Sequence, residues 1–281
     1  MPGENGNLVA DKGTTRLWVP GAEPALLPAP KRNTPSKGGA GSYRVRFAET
    51  REDLEGAYRL RFLVFNLELG EGPESAYRDG YERDEFDEVC DHLLVEDTKS
   101  GQIVGAYRLQ TGAGAARNLG YYSAREFDFT PYELLRSKLV ELGRACIHRD
   151  HRSFEVLTLL WRGIAVYAQE RNARYLVGCS SLTSQSPSDG LAIYSQLRDF
   201  LVEPSLQTVP RTAYQLPVDE PSSPQFELRP PKLLRAYLSI GARICGSPAI
   251  DRAFKTIDFL TLLDLEAMYS GARARFLGGA K

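Results

Sequence analysis

The chain has 281 residues, 42% of them hydrophobic and 25% charged, enough apolar material for one large core or two modest ones. A formal net charge of −1 argues against a nucleic-acid binder, whose affinity would draw on an excess of Lys and Arg, so any basic patch has to be local. The amino terminus carries no apolar run of the secretory kind and no later run approaches a membrane span, so a cytoplasmic protein is expected.

Residues 1–41 are rich in Gly, Pro and Lys, and such a stretch buries too little surface to offset the entropy of ordering. They read as a flexible tail in which Leu17-Trp18-Val19 is the one segment able to dock. Residues 42–281 read as a single domain. Tyr43 to Phe47 alternates as a strand does, and Thr50-Arg51-Glu52-Asp53 is a capped helix start. The helix is expected to run to about Phe65, with Leu60, Val64 and Leu67 on the face that covers a sheet. Gly70 to Asp91 is an acidic loop with aromatic interruptions, long enough that a functional role is favoured.

His92 to Asp97 and Gln102 to Leu109 form a hairpin about the polar turn Thr98-Lys99-Ser100-Gly101. A strand near Val140 to Ile147, a helix after Ser153 and a strand from Tyr175 to Cys179 make a β-α-β crossover, which sets two strands parallel. Prolines recur without periodicity over residues 203–231, an extended excursion rather than a core element. Lys232 to Ile240 is a short helix with Gly241 as its cap, and Phe259 to Leu263 a late strand. The expected class is α/β (α+β): a mixed, mostly antiparallel twisted sheet flanked by helices, with a C-terminal extension.

The densest chemistry lies in Leu139 to Arg152, where an apolar strand carrying one acid runs into a basic turn and then a helix. An acyl-transferring enzyme can hold a phosphopantetheine thioester in that way, with backbone N–H groups on the phosphate and an acid on the strand to take a proton. Glu141 is that acid, and the alternative for it is a structural ion pair with a nearby Arg. Glu141 and Arg144 are an odd number of positions apart and would face opposite sides of a regular strand. A bulge at Gly143 would bring them together and free a backbone N–H for an oxyanion. His148, Arg149, His151 and Arg152 are a seat for phosphate and for the acidic surface of a carrier protein, or else a solvated cationic turn; phosphate contact is favoured for Arg149 and Arg152, the turn for the histidines. Leu157, Leu160, Trp161 and Ile164 form a helical stripe assigned to core rather than to acyl contact. Cys90, Cys146, Cys179 and Cys245 lie far apart, three of them in apolar runs, so buried reduced thiols are expected and no metal site is read.

Arg61 with Phe65, Asp84 and Asp87, Arg108, and Glu141 with Arg144 resemble the constellation of the acyl-homoserine-lactone synthases, which are GNAT-fold acyltransferases. Leu142-Gly143-Arg144-Ala145-Cys146, the run from Pro230 to Leu238, Ile240-Gly241-Ala242, and Gly246 to Asp251 resemble more closely the ornithine N-acyltransferases of aminolipid synthesis, over roughly residues 43–275. The resemblance implies transfer of a long-chain fatty acyl group from acyl carrier protein to the α-amino group of an amino acid, foremost L-ornithine, giving a lyso-ornithine lipid. It also implies that Arg61, Phe65, Asp84, Asp87 and Arg108 bind substrate: the aspartates its ammonium groups, Arg61 or Arg108 its carboxylate. No tightly bound cofactor or metal is expected; the co-substrate is the acyl-phosphopantetheine of the carrier protein. A leaving thiol of pKa about 8.5 departs without a general acid, so no Cys or Ser nucleophile is needed. Arg149 to Phe154 lacks the glycine-rich turn of acetyl-CoA users, which favours a carrier-protein donor. Alternatives are a homoserine-lactone-type synthase using S-adenosylmethionine, another N-acyl amino acid synthase, or a non-catalytic acyl-binding module. Leu233, Leu234, Tyr237 and Leu238 beside Lys232 and Arg235 would suit peripheral contact with the inner membrane face, although packing on the sheet is favoured.

Overall fold

The computed structural model describes residues 42–217 and 228–276; the expected tail, with Leu17-Trp18-Val19, lies outside them, as does part of the proline-rich stretch. Eight strands form one sheet: β1 (Tyr43–Phe47), β2 (Asp91–Asp97), β3 (Ile103–Thr111), β4 (Leu139–Ile147), β5 (Tyr175–Leu182), β6 (Arg243–Ile244), β7 (Ala249–Asp251) and β8 (Thr256–Asp264). The spatial order is β1-β2-β3-β4-β5-β8-β6, with β7 also on β8. Only β4 and β5 pair in parallel; the other pairs are antiparallel. The hairpin, the parallel crossover and the mixed sheet are as the sequence predicts.

Helix α1 (Arg51–Arg61) starts at a capping box in which Thr50 and Asp53 satisfy each other's backbone N–H groups, and it covers one face through Ala57 and Leu60. The chain then continues as a π-helical segment, Phe62–Glu68. Its wider turn rotates the apolar stripe, so Val64 is buried while Leu67, expected on the same face, is 56% exposed. A short helix α2 (Gly112–Arg117) follows β3. On the other face lies α3 (Phe154–Glu170), capped by the Ser153 hydroxyl on the Val156 N–H at 3.2 Å, with Leu160, Ile164 and Ala168 fully buried. Because both faces are covered, β3 and β8 are buried along nearly their whole length.

Three features shape the middle of the sheet. Strands β4 and β5 pair only over Leu139–Glu141 and Tyr175–Val177, and no pairing continues beyond them. Gly178 lies where they diverge: a Cβ there would sit 2.2 Å from the Leu142 carbonyl oxygen, so glycine permits the close approach. In β4, Ala106 pairs with Cys146 and Arg108 with Gly143, leaving Tyr107 opposite both Arg144 and Ala145. This bulge lies one residue beyond the Gly143 expected to carry it, and Arg144 itself takes the left-handed backbone, φ 51°. A non-glycine residue there costs about 1–3 kcal/mol, so surrounding contacts have to hold it.

Helix α4 (Pro187–Gln196) follows β5, and residues 204–215 return along the β6–β7 region through bridges of Thr208 to Gly246 and Gln215 to Ala249. Helix α5 (Lys232–Ser239) packs on the sheet through Leu234 and Leu238, with Gly241 at φ 110° just beyond it. Helix α6 (Ser270–Phe276) places Phe276 against Trp161. Among the described residues no helix is long and apolar enough to cross a membrane.

Candidate active site

Where β4 and β5 part, a cleft of about 460 Å³, solvent at its mouth included, opens between Leu142, Gly143, Arg144 and Ala145 on one wall and Val177, Gly178 and Cys179 on the other. Its deeper lining is apolar: Tyr107, Trp161, Leu176, Ala242 and Leu263. The hydroxyls of Tyr107 and Tyr237 hydrogen-bond each other, and Tyr237 meets the Trp161 ring edge-on at 5.7 Å. Trp161 therefore serves the cleft as well as the core, a correction to its assignment as core alone. The bulge places Arg144 on the cleft wall.

Glu141 is 5% exposed, and donors rather than a cation hold its carboxylate: the Ser123 N–H at 2.8 Å, the Tyr122 N–H at 2.9 Å and Gln110 Nε2 at 3.2 Å. The alternative ion pair is not among those of the described residues, and Glu141 stands one position before the strand's cleft-lining residues rather than among them. Two of these donors are on Oε2 and one on Oε1, so Oε1 keeps an unused lone pair. The same carboxylate fixes the turn that presents the Tyr122 ring to Arg144.

The acidic loop and the three arginines make a lattice. Arg61 grips Asp87 with both terminal nitrogens, at 2.7 and 2.9 Å, and Glu82 with Nε. Arg108 Nη1 bonds Asp84 and Asp87. Arg144 bonds Glu82 at 3.1 Å and Asp84 at 2.8 Å, and its guanidinium lies 4.2 Å from the Phe254 ring centroid and 4.5 Å from that of Tyr122. Three guanidiniums thus face three carboxylates, and these contacts hold the strained backbone at Arg144. Arg61 and Asp87, expected on the substrate, are each no more than 3% exposed and have their charged groups engaged internally. Asp84, also expected on an ammonium group, accepts from two arginines and caps its own turn at the Phe86 N–H. Phe65 packs edge-on against Phe254 at 6.0 Å. Arg108 alone retains a buried terminal nitrogen, Nη2, without a partner among the described residues.

His92 lies under this lattice, with Nε2 3.2 Å from the Asp87 carbonyl oxygen. Burial lowers the imidazole to about 4, against the pull of Asp87 in the other direction. The unfolded chain takes up this proton near pH 6.5 and the folded chain only near 4. Stability should therefore be complete above pH 6.5 and fall by about 3 kcal/mol as pH drops toward 4. His92→Gln is expected to flatten the fall in melting temperature between pH 7 and 5; an unchanged slope would refute this origin.

In the basic turn, His148 accepts the Asp150 N–H at 3.3 Å, and Arg149 is exposed. Arg152 forms two bonds to Glu68, at 2.7 and 2.8 Å, in an exposed pair worth at most about 1 kcal/mol and hence exchangeable for a phosphate. His151 is engaged by the Tyr43 hydroxyl at 3.0 Å.

A second acidic group escaped the sequence reading. Carboxylate oxygens of Glu126 and Asp258 and the Cys179 sulfur lie within 4.8 Å of one another, and both acids are almost fully buried. Burial, with Asp258 and Asp251 close by, pushes Glu126 well above the usual carboxylate range; burial likewise raises Asp258. An acid within the apolar run Ile257 to Leu263 was the available signal, missed because the strand was started at Phe259.

A family described as Acetyltransferase (GNAT) domain matches residues 60–162. The chain is 34% identical over 248 residues to the L-ornithine N(alpha)-acyltransferase of Brucella abortus, covering 83% of this chain and 88% of that one. It is 32% identical to the enzyme of the same name from Rhodobacter capsulatus, over 81% and 92%. Among solved structures, it is similar to the AHL synthase LasI (TM-score 0.47, 16% identity, 85% of this chain and 96% of that one). It is similar also to FeeM, an N-acyl amino acid synthase from uncultured soil microbes (TM-score 0.49, 11% identity, 80% and 93%).

Proposed function

The chain belongs to the L-ornithine N(alpha)-acyltransferase family, and from that premise we propose that it moves a long-chain fatty acyl group from acyl carrier protein to the α-amino group of L-ornithine, giving a lyso-ornithine lipid. It is an acyltransferase of GNAT fold. The observation that carries the finer reading is the cleft: an apolar slot between diverging strands with a bulge at its wall suits a fatty thioester whose carbonyl stays near Gly143 to Ala145.

In this reading the acyl chain runs in beside Trp161, Leu176 and Leu263, and the pantetheine phosphate meets the turn of His148, Arg149 and Arg152 ahead of the α3 amino end. Glu141 Oε1 takes a proton from the acceptor's ammonium group. The freed amine attacks the thioester carbon, and backbone N–H groups at the bulge bear the oxyanion, a contribution of about 3 kcal/mol in comparable sites. The C–S bond then breaks, the pantetheine thiolate leaves, and the proton that the attacking nitrogen gives up as the amide forms neutralises the thiolate. Arg108 Nη2, the lattice's unpartnered donor, is assigned to the acceptor's α-carboxylate. The product is amphiphilic, so its release belongs at the inner membrane surface.

The test is a screen of free amino acids and S-adenosylmethionine with long-chain acyl carrier protein, read by mass spectrometry. N-acyl ornithine is the expected product. A lactone from S-adenosylmethionine, or donor binding with no product from any acceptor, would overturn the assignment.

A further inference from the structure

Two acidic groups flank the cleft, and their surroundings are opposite. Glu82, Asp84 and Asp87 are matched by three guanidiniums. Glu126 and Asp258 are 2% and 4% exposed, yet neither has an ion pair among those of the described residues. Arg144 is the cation that acts on Glu126, and its own bonds go to Glu82 and Asp84. Asp258 Oδ1 has no hydrogen-bond partner, while the rest of the carboxyl group has the Thr256 hydroxyl at 3.4 Å and the side chains of Ser181 and Glu126. Glu126 receives the Cys179 thiol at 3.9 Å and shares a hydrogen bond with Asp258. Asp251 adds negative charge to both acids, and Glu71 lies near enough to Asp258 to be raised by it.

Burying two carboxyl groups that bond each other with no cation in an ion pair beside them is unfavourable, and an apolar pair would be more stable there. The arrangement makes sense if the missing cation arrives with a ligand. Cys179 identifies where the ligand would enter, because this residue lines the cleft and its thiol touches Glu126.

We propose that Glu126 and Asp258 receive the side-chain ammonium of the acceptor amino acid and thereby set a preference for a diamino acid. The proposal rests on the amino-acid N-acylation read above. A primary ammonium brings three donors and one positive charge on a thin aliphatic stem, which answers the unpartnered oxygen and the uncompensated acids together.

The experiment compares kcat/KM for ornithine with that for norvaline, which has the same carbon chain without the terminal amine, using the full chain and long-chain acyl carrier protein. Wild type should prefer ornithine by roughly 100-fold, and Asp258→Asn or Glu126→Gln should bring the ratio to about 1, mainly through KM for ornithine. Both substitutions relieve repulsion, so neither should lower the melting temperature. A ratio unchanged by either variant, with both acceptors falling in parallel, would overturn the proposal. So would stoichiometric metal in the purified protein whose removal abolishes activity. If wild type acylates neither compound, the N-acylation reading fails separately. Calorimetry then decides the pocket: tighter binding of ornithine than norvaline, lost in Asp258→Asn, supports it, and equal binding refutes it.

Discussion

Glu141→Gln is expected to lower kcat by about 10²–10³-fold while the melting temperature moves by no more than a few degrees. The two expectations belong together because the side chain has two jobs. It holds the Tyr122 and Ser123 N–H groups, and Oε1 has a lone pair to spare for a proton. Glutamine keeps an oxygen for one of the two N–H groups, sets its NH2 against the other at the cost of that hydrogen bond, and cannot take the proton. Glu141→Ala removes both functions, so it should add a loss of stability to the loss of rate by freeing the turn that supports Arg144 through Tyr122. A Glu141→Gln enzyme retaining more than a tenth of wild-type kcat would reduce Glu141 to an anchor. Glu126, a buried carboxyl whose oxygen meets the thiol of the cleft-lining Cys179, would then become the candidate base.

Elements with strong local signals were legible from the chain. The Ser153 cap and the unbroken apolar run of α3, the polar turn of the β2–β3 hairpin, and Gly241 beyond α5 each act within a few residues and appear where the pattern puts them. What failed depended on partners distant in sequence. The π turn after Arg61 changes which side chains face the sheet, and nothing in Phe62 to Glu68 announces it except the burial it produces. Arg61 and Asp87 were rightly singled out as unusual, but a charge read without its partners looks the same whether it waits for a ligand or is already matched. Asp84, Arg108 and Arg144 complete the match from three separate segments. The need for a bulge between Glu141 and Arg144 followed from strand parity. Its position did not, because the contacts that hold Arg144 at positive φ come from Glu82, Asp84, Tyr122 and Phe254.

The lattice also sets the largest expected effect on stability. Arg61→Ala would take the two-pronged partner from Asp87 and one of two guanidiniums from Glu82, leaving Arg108 and Arg144 as their remaining cations, and breaking buried pairs in this way costs about 3–5 kcal/mol, a fall in melting temperature of roughly 6–20 °C. Arg51→Ala, which loses one exposed pair with Glu55, should leave the melting temperature where it was. The pH dependence separates a charge effect from simple loss of packing. In the wild type, burial would raise Asp87, but Arg61 and Arg108 overcome it and hold the carboxyl well below its ordinary range. Its contribution is therefore present above the unfolded value of 3.8 and is lost only as pH falls below that. Without Arg61, only Arg108 is left to offset the burial of Asp87, so protonation relieves that carboxyl at a higher pH than in wild type and the gap between the two proteins should narrow from pH 7 to pH 4. A gap constant over that range would mean lost packing rather than lost charge. An Arg61→Ala protein as stable as wild type at pH 7 would show that the guanidinium is not needed to hold the acidic loop, and would return Arg61 to the residues available for the acceptor's carboxylate.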